Sequence, residues 1–229
     1  MKRSEINAIM LSADEFIRGQ GFLLPPFAYW SPEEWKAKGE EAREIVVNQL
    51  GWDITDFGLG NYETSGLFLF TVRNGHPDNL KTMQGKLYAE KIMVVGVDQV
   101  TPLHFHWNKT EDIINRGGGK LVMKLYNATE DEELAETEVQ VSMDGVRRTF
   151  GAGERVVLSP GESITLPTRG YHVFWGEESR VLVGEISAVN DDTLDNRFYD
   201  AVGRFPVIEE DEGPRYLLAT DYSKWTKLG

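Results

Sequence analysis

The sequence has no cysteine and only four histidines among its 229 residues. Without a thiol there is no disulfide scaffold, no thiolate metal site and no cysteine nucleophile. A chain of this length buries roughly 70% of its unfolded surface and needs no such staples. Long apolar runs are missing too, since nothing approaches the ~20 residues of a membrane span. The segment after Met1-Lys2-Arg3 is interrupted by Glu5, Asn7 and Asp14, so no signal peptide is read there. Bases are scarce: 24 stand against 37 acids, a formal charge of −13. That balance argues against nucleic acid or an anionic membrane as a partner. These absences leave a soluble cytoplasmic protein as the expectation, folded as a single domain over residues 1–229.

What is present divides the chain into textures. Over residues 1–50 a helical arm is expected. Ile6, Ile9, Met10, Ala13, Phe16 and Ile17 recur at three- and four-residue spacing and form one apolar stripe. Ser4 is the expected cap, and Gly19 and Gly21 the expected stop. Ser31-Pro32-Glu33-Glu34 reads as a second helix start, with Ser31 as N-cap and Glu34 closing a capping box. Trp35, Ala42, Ile45, Val46 and Leu50 supply its stripe, and Gly51 its end. From roughly residue 60 to 190 short alternating runs follow, separated by Gly, Asn, Asp and Pro. Asp144-Gly145 between Val141 and Val146 is a two-residue hairpin signal. Many short strands at regular spacing imply a sandwich or barrel. Residues 191–229 read as an irregular tail packing on that barrel. The charge is concentrated: residues 129–138 carry six acids and no base, and residues 191–212 eight acids and two bases. The barrel body is nearly neutral, as a site for uncharged ligands would be, and the first acidic run reads as a solvated loop.

Three of the four histidines fall in two short segments. In a strand, residues two apart share a face, so His104 and His106 can bind one ion together. Glu111 follows past a turn and can return to the same point. The Gly161–Pro167–Gly170 segment brings His172 to the end of a neighbouring strand. Three neutral imidazoles and one carboxylate, with positions left for water, suit an open catalytic site for Mn²⁺, Fe²⁺, Co²⁺, Ni²⁺ or Zn²⁺. His76, in Asn74-Gly75-His76-Pro77, reads as a surface loop residue. Gly117-Gly118-Gly119 lacks the pattern of a phosphate loop and reads as a tight hairpin turn or a close backbone approach to the site.

The two histidine segments resemble the paired motifs of the cupin superfamily, a mainly β, jelly-roll type of barrel. Seven residues rather than five separate Gly96 from His104, and Gly176 stands where an Asn is common. Neither departure touches the ligands. AEKIM (89–93), TPLHFHW (101–107), EDIINRGGG (111–119), LSPGESI (158–164) and VNDD (189–192), with LGWDIT (50–55) and LFTVRNG (69–75), are similar to the D-lyxose isomerase family of cupins. The resemblance runs over most of the chain. It implies a metal-dependent aldose–ketose isomerase that interconverts D-lyxose and D-xylulose, and D-mannose and D-fructose. It also implies activation by Mn²⁺ and a homodimer.

Such chemistry moves hydrogen between C1 and C2, and needs a base near the sugar and an acid to return protons. Lys109, between His106 and Glu111, is a candidate for substrate binding and catalysis, either as a donor to a sugar oxygen or as an acid. Glu185 shares a face with Val181 and Val183. On an inward face its carboxylate is costly unless used or paired, which makes it the candidate base. Asp191, Asp192, Asp195 and Arg197 form a cluster that could bind sugar hydroxyls or make surface ion pairs. Trp107, beside the ligands, could be a sugar platform or core packing. Of Glu90 and Lys91, adjacent in mid-strand, one must face inward, and alternation does not say which. Rival readings are a phosphosugar isomerase, an iron dioxygenase and a non-catalytic sugar-binding cupin.

Overall fold

Two long, bent strands organise the chain. The computed structural model describes residues 1–228. Its helices are α1 (Arg3–Gly19), α2 (Pro32–Ala37), α3 (Arg43–Val47), α4 (Pro77–Thr82) and α5 (Tyr222–Trp225). The strands are β1 (Gly51–Thr55), β2 (Leu67–Arg73), β3 (Tyr88–Val95), β4 (Thr101–Phe105), β5 (Glu111–Asn127) and β6 (Val139–Met143). They continue with β7 (Val146–Phe150), β8 (Arg155–Leu158), β9 (Ser163–Leu166), β10 (Gly170–Ala188) and β11 (Arg197–Phe198). All the strand pairings are antiparallel. The strands β5 and β10 pair along nearly their whole length and bend together, so each serves two layers. One layer runs β1-β2-β3-β10-β5-β9-β6-β7, and the other joins β11, β4, β10, β5 and β8. Leu69, Met93, Ile113 and Val183 from the first meet Leu121, Met123, Leu158 and Phe174 from the second in one core. This is the mainly β, jelly-roll type of fold that the motifs implied.

The bend has a local cause. Register shifts fall between Glu177 and Val181 of β10 opposite the glycine run of β5. Gly118 has φ +91°, and a Cβ there would lie 2.1 Å from the Arg180 carbonyl oxygen; at Gly119 it would lie 2.2 Å from that of Glu177. Only glycine allows the two backbones to come this close. Asn115 fixes the kink: its amide donates to the carbonyls of Gly119 and Leu158, and its carbonyl accepts from the Gly117 N–H, all at 2.9–3.0 Å. The glycine run is therefore a strand bulge, neither a hairpin turn nor a backbone approach to the site.

The N-terminal arm covers the outer face of the first layer. Ile6, Met10, Ala13 and Ile17 of α1 pack on Phe68, Phe70, Ile92 and Leu182. Strands β2 and β3 are consequently buried on both faces. Ser4 does not cap α1. Lys2 holds that position, and Ser4 lies inside the first turn, where its N–H and hydroxyl donate to Asp211 at 3.0 and 2.7 Å. A tail carboxylate thus supplies the acceptor that a free helix start needs. The capping box of Ser31 and Glu34 forms as read. The single helix expected from 31 to 50 breaks instead at Lys38-Gly39 and resumes as α3. Gly51 opens β1, with φ +114° and the Tyr222 hydroxyl 2.5 Å from where a Cβ would sit. Asp144-Gly145 makes the expected two-residue turn, both residues at positive φ. His76 caps α4 by accepting the Asp78 N–H.

Arg3 ties the two ends of the chain together. Its guanidinium meets Asp221 at 2.9 and 3.0 Å and Glu210 at 2.8 Å, and the side chains of Arg3 and Asp221 are only 1% and 3% exposed. Removing Arg3 leaves Asp221 buried without a charge partner, which costs about 3–5 kcal/mol. Arg3→Met is expected to lower unfolding stability in urea by that amount. Adding Asp221→Asn to it should recover part of the loss.

Candidate active site

The three ligand-type histidines come from the second layer. On β4, His104 pairs directly across from His172 on β10, and His106 ends the same segment. Their ligand-capable nitrogens lie within 4.8 Å of one another, and all three rings are buried. Each Nδ1 donates to a main-chain carbonyl: His104 to Pro102 at 2.8 Å, His106 to Asp195 at 2.6 Å and His172 to Gly170 at 3.1 Å. These bonds place the proton on Nδ1 and leave the Nε2 lone pairs free. Burial, reinforced for His104 by its neighbouring histidines, pushes the imidazoles of His104 and His172 below the usual range and keeps them neutral.

Glu111, at the start of β5, completes the cluster. Its Oε1 lies 3.5 Å from Nε2 of His106 and 3.3 Å from Nε2 of His172. It is buried without a hydrogen-bond partner. Lone pairs on nitrogen and a carboxylate oxygen facing each other at this range repel unless a cation lies between them. The three imidazoles and the orphaned oxygen therefore suit a divalent metal ion, which His104, His106 and His172 would hold, with Glu111 beside two of them.

From Glu111 a run of buried charges of alternating sign lines the wall of a small cavity. Lys109 Nζ lies 2.9 Å from Glu111 Oε2 and 2.7 Å from Glu185 Oε1. Glu185 Oε1 is 3.7 Å from Lys91 Nζ, which is 3.1 Å from Asp192 Oδ1. Arg204 Nη2 follows, 3.4 Å from Asp192 Oδ2 and 2.5 Å from Asp53 Oδ2. Burial opposes the charge on Lys109, but Glu111, Glu185 and Asp192 outweigh it and hold the ammonium above its usual range. Lys109 is thus a cationic donor rather than an acid of lowered pKa. Burial is likewise overcome at Glu111, by Lys109 and His106, and at Asp192, by Lys91 and Arg204, so both carboxyls lie below their usual range. Phe57, Leu67, Leu69, Met93, Phe174 and Phe198 line the same cavity.

Strand alternation is resolved here. Glu185 faces in with Val181 and Val183. Lys91 also faces in, while Glu90 pairs with Arg73 on the other side at 2.9 Å. Asp192 lines the cavity, but four other expected substrate contacts do not, among them Asp195, whose carboxylate accepts the main-chain and side-chain N–H groups of Asn108 at 2.9 and 3.1 Å. Asp191 accepts the N–H groups of Thr193 and Leu194 and shapes a turn. Arg197 pairs with Glu132 at 3.0 Å. Trp107 packs edge-on against Phe105 and donates to Glu132 at 2.7 Å, outside the cavity lining. Arg204, Asp53, Thr101 and Asn190 escaped the sequence reading. Asn190 Oδ1 accepts from both Lys91 and Lys109, at 2.7 and 3.2 Å. Its only sequence signal was the VNDD stretch.

Glu132 corrects the reading of the acidic run as merely solvated. Half-buried and at φ +64°, it accepts from Trp107, next to His106, and from Arg197, whose strand pairs with that of His104. Its carbonyl accepts from the hydroxyl of Tyr171, next to His172, at 2.7 Å. One residue thus braces the ligand-bearing segments from outside. Glu132→Ala is expected to weaken divalent-metal binding about 10–100-fold, the usual effect of losing an outer-sphere support, in calorimetric titration of the metal-free protein.

Comparison with known proteins now places the chain. The D-lyxose isomerase family profile matches residues 1–222. The D-lyxose/D-mannose isomerase of Serratia proteamaculans is 49% identical over 228 residues, covering 98% of this chain and 99% of that protein. The D-lyxose/D-mannose isomerase of Escherichia coli O157:H7 is 47% identical over 228 residues, covering 98% of this chain and all (100%) of that one. Among solved structures, Cellulomonas parahominis L-ribose isomerase with L-ribose is similar in fold, with TM-score 0.60 at 16% identity over 91% of this chain and 98% of that one. On the profile match and the near full-length similarity to two curated relatives, the chain belongs to the D-lyxose isomerase family.

Proposed function

We propose that this protein is an aldose–ketose isomerase that interconverts D-lyxose and D-xylulose, and D-mannose and D-fructose. One observation carries the reading: three histidines that could hold a metal, the Glu111 carboxylate beside two of them, and a paired Lys109–Glu185 line the same cavity. Names of the full-length relatives support the sugar. A divalent cation bound by the cluster would polarise the sugar oxygens at C1 and C2. The donor set and the family resemblance favour Mn²⁺, with Fe²⁺, Co²⁺, Ni²⁺ and Zn²⁺ as alternatives.

The chain's own residues supply the proton handling. Glu185 is the base for the hydrogen moved between C1 and C2. Lys109, Ser187 and Lys91 all approach its Oε1, and among the described residues Oε2 carries no hydrogen bond. Lys109, held as a cation, donates to a sugar oxygen on which charge develops. Phe174 and Phe198 close the apolar side, which excludes water from the reacting carbons. A phosphorylated sugar suits this cavity less well, because Lys91, Lys109 and Arg204 are each already neutralised by carboxylates. A non-catalytic sugar-binding role is disfavoured by the complete donor set. The reading extends to a cytoplasmic homodimer without nucleic-acid or membrane partners, supported by the resemblance, by the charge of −13 and by the lack of a membrane-spanning helix among the described residues.

The test strips metal with EDTA, restores Mn²⁺ and follows ketose formation from D-lyxose, D-mannose and their phosphates. Turnover of the free aldoses that depends on metal is expected; no turnover of any free aldose with any divalent ion would refute the reading. His104→Ala should abolish metal content and activity together. Glu185→Gln should retain metal and lose turnover by about 10²–10⁴-fold, the usual contribution of general acid–base catalysis. Loss of metal from Glu185→Gln would instead make the residue structural.

A further inference from the structure

Among the described residues, three buried side-chain atoms have no hydrogen-bond partner: Thr101 Oγ1, Glu111 Oε1 and Arg204 Nη1. Buried polar groups are rarely left unpaired, and those that are mark strain, chemistry or an absent partner. All three residues line the same cavity. The cation cluster accounts for Glu111. It cannot account for Arg204, because a guanidinium offers donors only, nor does it include Thr101.

Arg204 is built to present that donor. Nη2 is committed to Asp53 and Asp192, at 2.5 and 3.4 Å. The guanidinium carbon sits 4.8 Å from the centre of the Phe205 ring. With the side chain only 12% exposed, the fork is immobilised and Nη1 remains for a ligand. Two carboxylates already balance the charge, so the fitting acceptor is a neutral hydroxyl rather than a phosphate. Arg204 also stands near the far end of the run of charges that begins at Glu111, with only Asp53 beyond it. If the metal-type cluster takes the carbonyl end of the sugar, Arg204 faces the other end.

Resting on the isomerase reading, we propose that Arg204, with Thr101, binds the sugar hydroxyls remote from the reacting carbonyl and so determines which chain lengths and configurations are accepted. Both are binding residues that do not touch the atoms that react.

The test compares the wild-type holoenzyme with Arg204→Met and Thr101→Val. D-Lyxose is assayed beside D-glyceraldehyde, a three-carbon aldose without the remote hydroxyls. Arg204→Met should lose about 10–100-fold in kcat/KM on D-lyxose, the effect of one charged hydrogen bond, mostly through KM. Its loss on D-glyceraldehyde should be much smaller. Equal losses on both sugars, or none, would overturn the proposal. Thr101→Val guards against a folding artefact. It removes a hydroxyl with no protein partner, so melting temperature should hold or rise while KM for D-lyxose increases; an unchanged KM contradicts the role of Thr101. Calorimetric binding of D-arabinitol, a polyol with no carbonyl to isomerise, separates this proposal from the isomerase reading. Weaker binding by both variants supports it even without turnover, and unaltered binding, or none by the wild type, overturns it.

Discussion

The site rests on a buried ladder of opposite charges. Glu111, Lys109, Glu185, Lys91, Asp192 and Arg204 follow one another along the cavity lining, with Asp53 behind Arg204, at separations of 2.5–3.7 Å. None of these charges could be buried alone, because desolvating an ion costs several kcal/mol that only a close partner offsets. Each rung therefore depends on the next. The ladder carries four acids and three bases, with an acid at either end, and the cation donors converge at the Glu111 end. A divalent ion there would change the net charge of the wall from −1 to +1, which makes metal binding and the electrostatics of the wall one problem.

Such a ladder can form only if remote parts of the chain are held in register. Asp53 comes from β1, Lys91 from β3, Glu111 from β5, Glu185 from β10, and Asp192 and Arg204 from the tail. The glycine bulge, locked by Asn115, lets β5 and β10 bend so that Glu111 and Glu185 on one layer face His104 and His172 on the other. The tail is fixed from outside, through Arg3 with Glu210 and Asp221, and through Ser4 with Asp211. The acidity of residues 191–212 thus serves the architecture: Asp192 joins the ladder, and Glu210 and Asp211 anchor the segment to α1.

Much of this was legible in the sequence where local pattern decides geometry. The H-x-H spacing placed His104 and His106 on one side of a strand, and alternation with Val181 and Val183 turned Glu185 inward. The Ser31 box and the Asp144-Gly145 turn were equally local. Lys91 and Glu90 could not be told apart because α1 buries the outer face of β3, so apolar residues mark both faces. Trp107, Asp191 and Arg197 lie in the right segments, but their partners turn them out of the cavity. Glu132 and Arg204 lie in no family-like stretch, and LGWDIT and TPLHFHW contain Asp53 and Thr101 without marking a role for them, since these roles arise from contacts across the fold. The break at Gly39 and the anchoring of Ser4 by Asp211 are tertiary in the same way.

The most direct measurement is a crystal structure of the Mn²⁺-loaded protein with D-lyxose, with anomalous scattering to locate the ion. The account predicts one ion about 2.0–2.3 Å from the Nε2 atoms of His104, His106 and His172 and from a Glu111 oxygen, with the sugar in the cavity beside Glu185. An ion bound elsewhere, or a sugar seated outside this cavity, would contradict it.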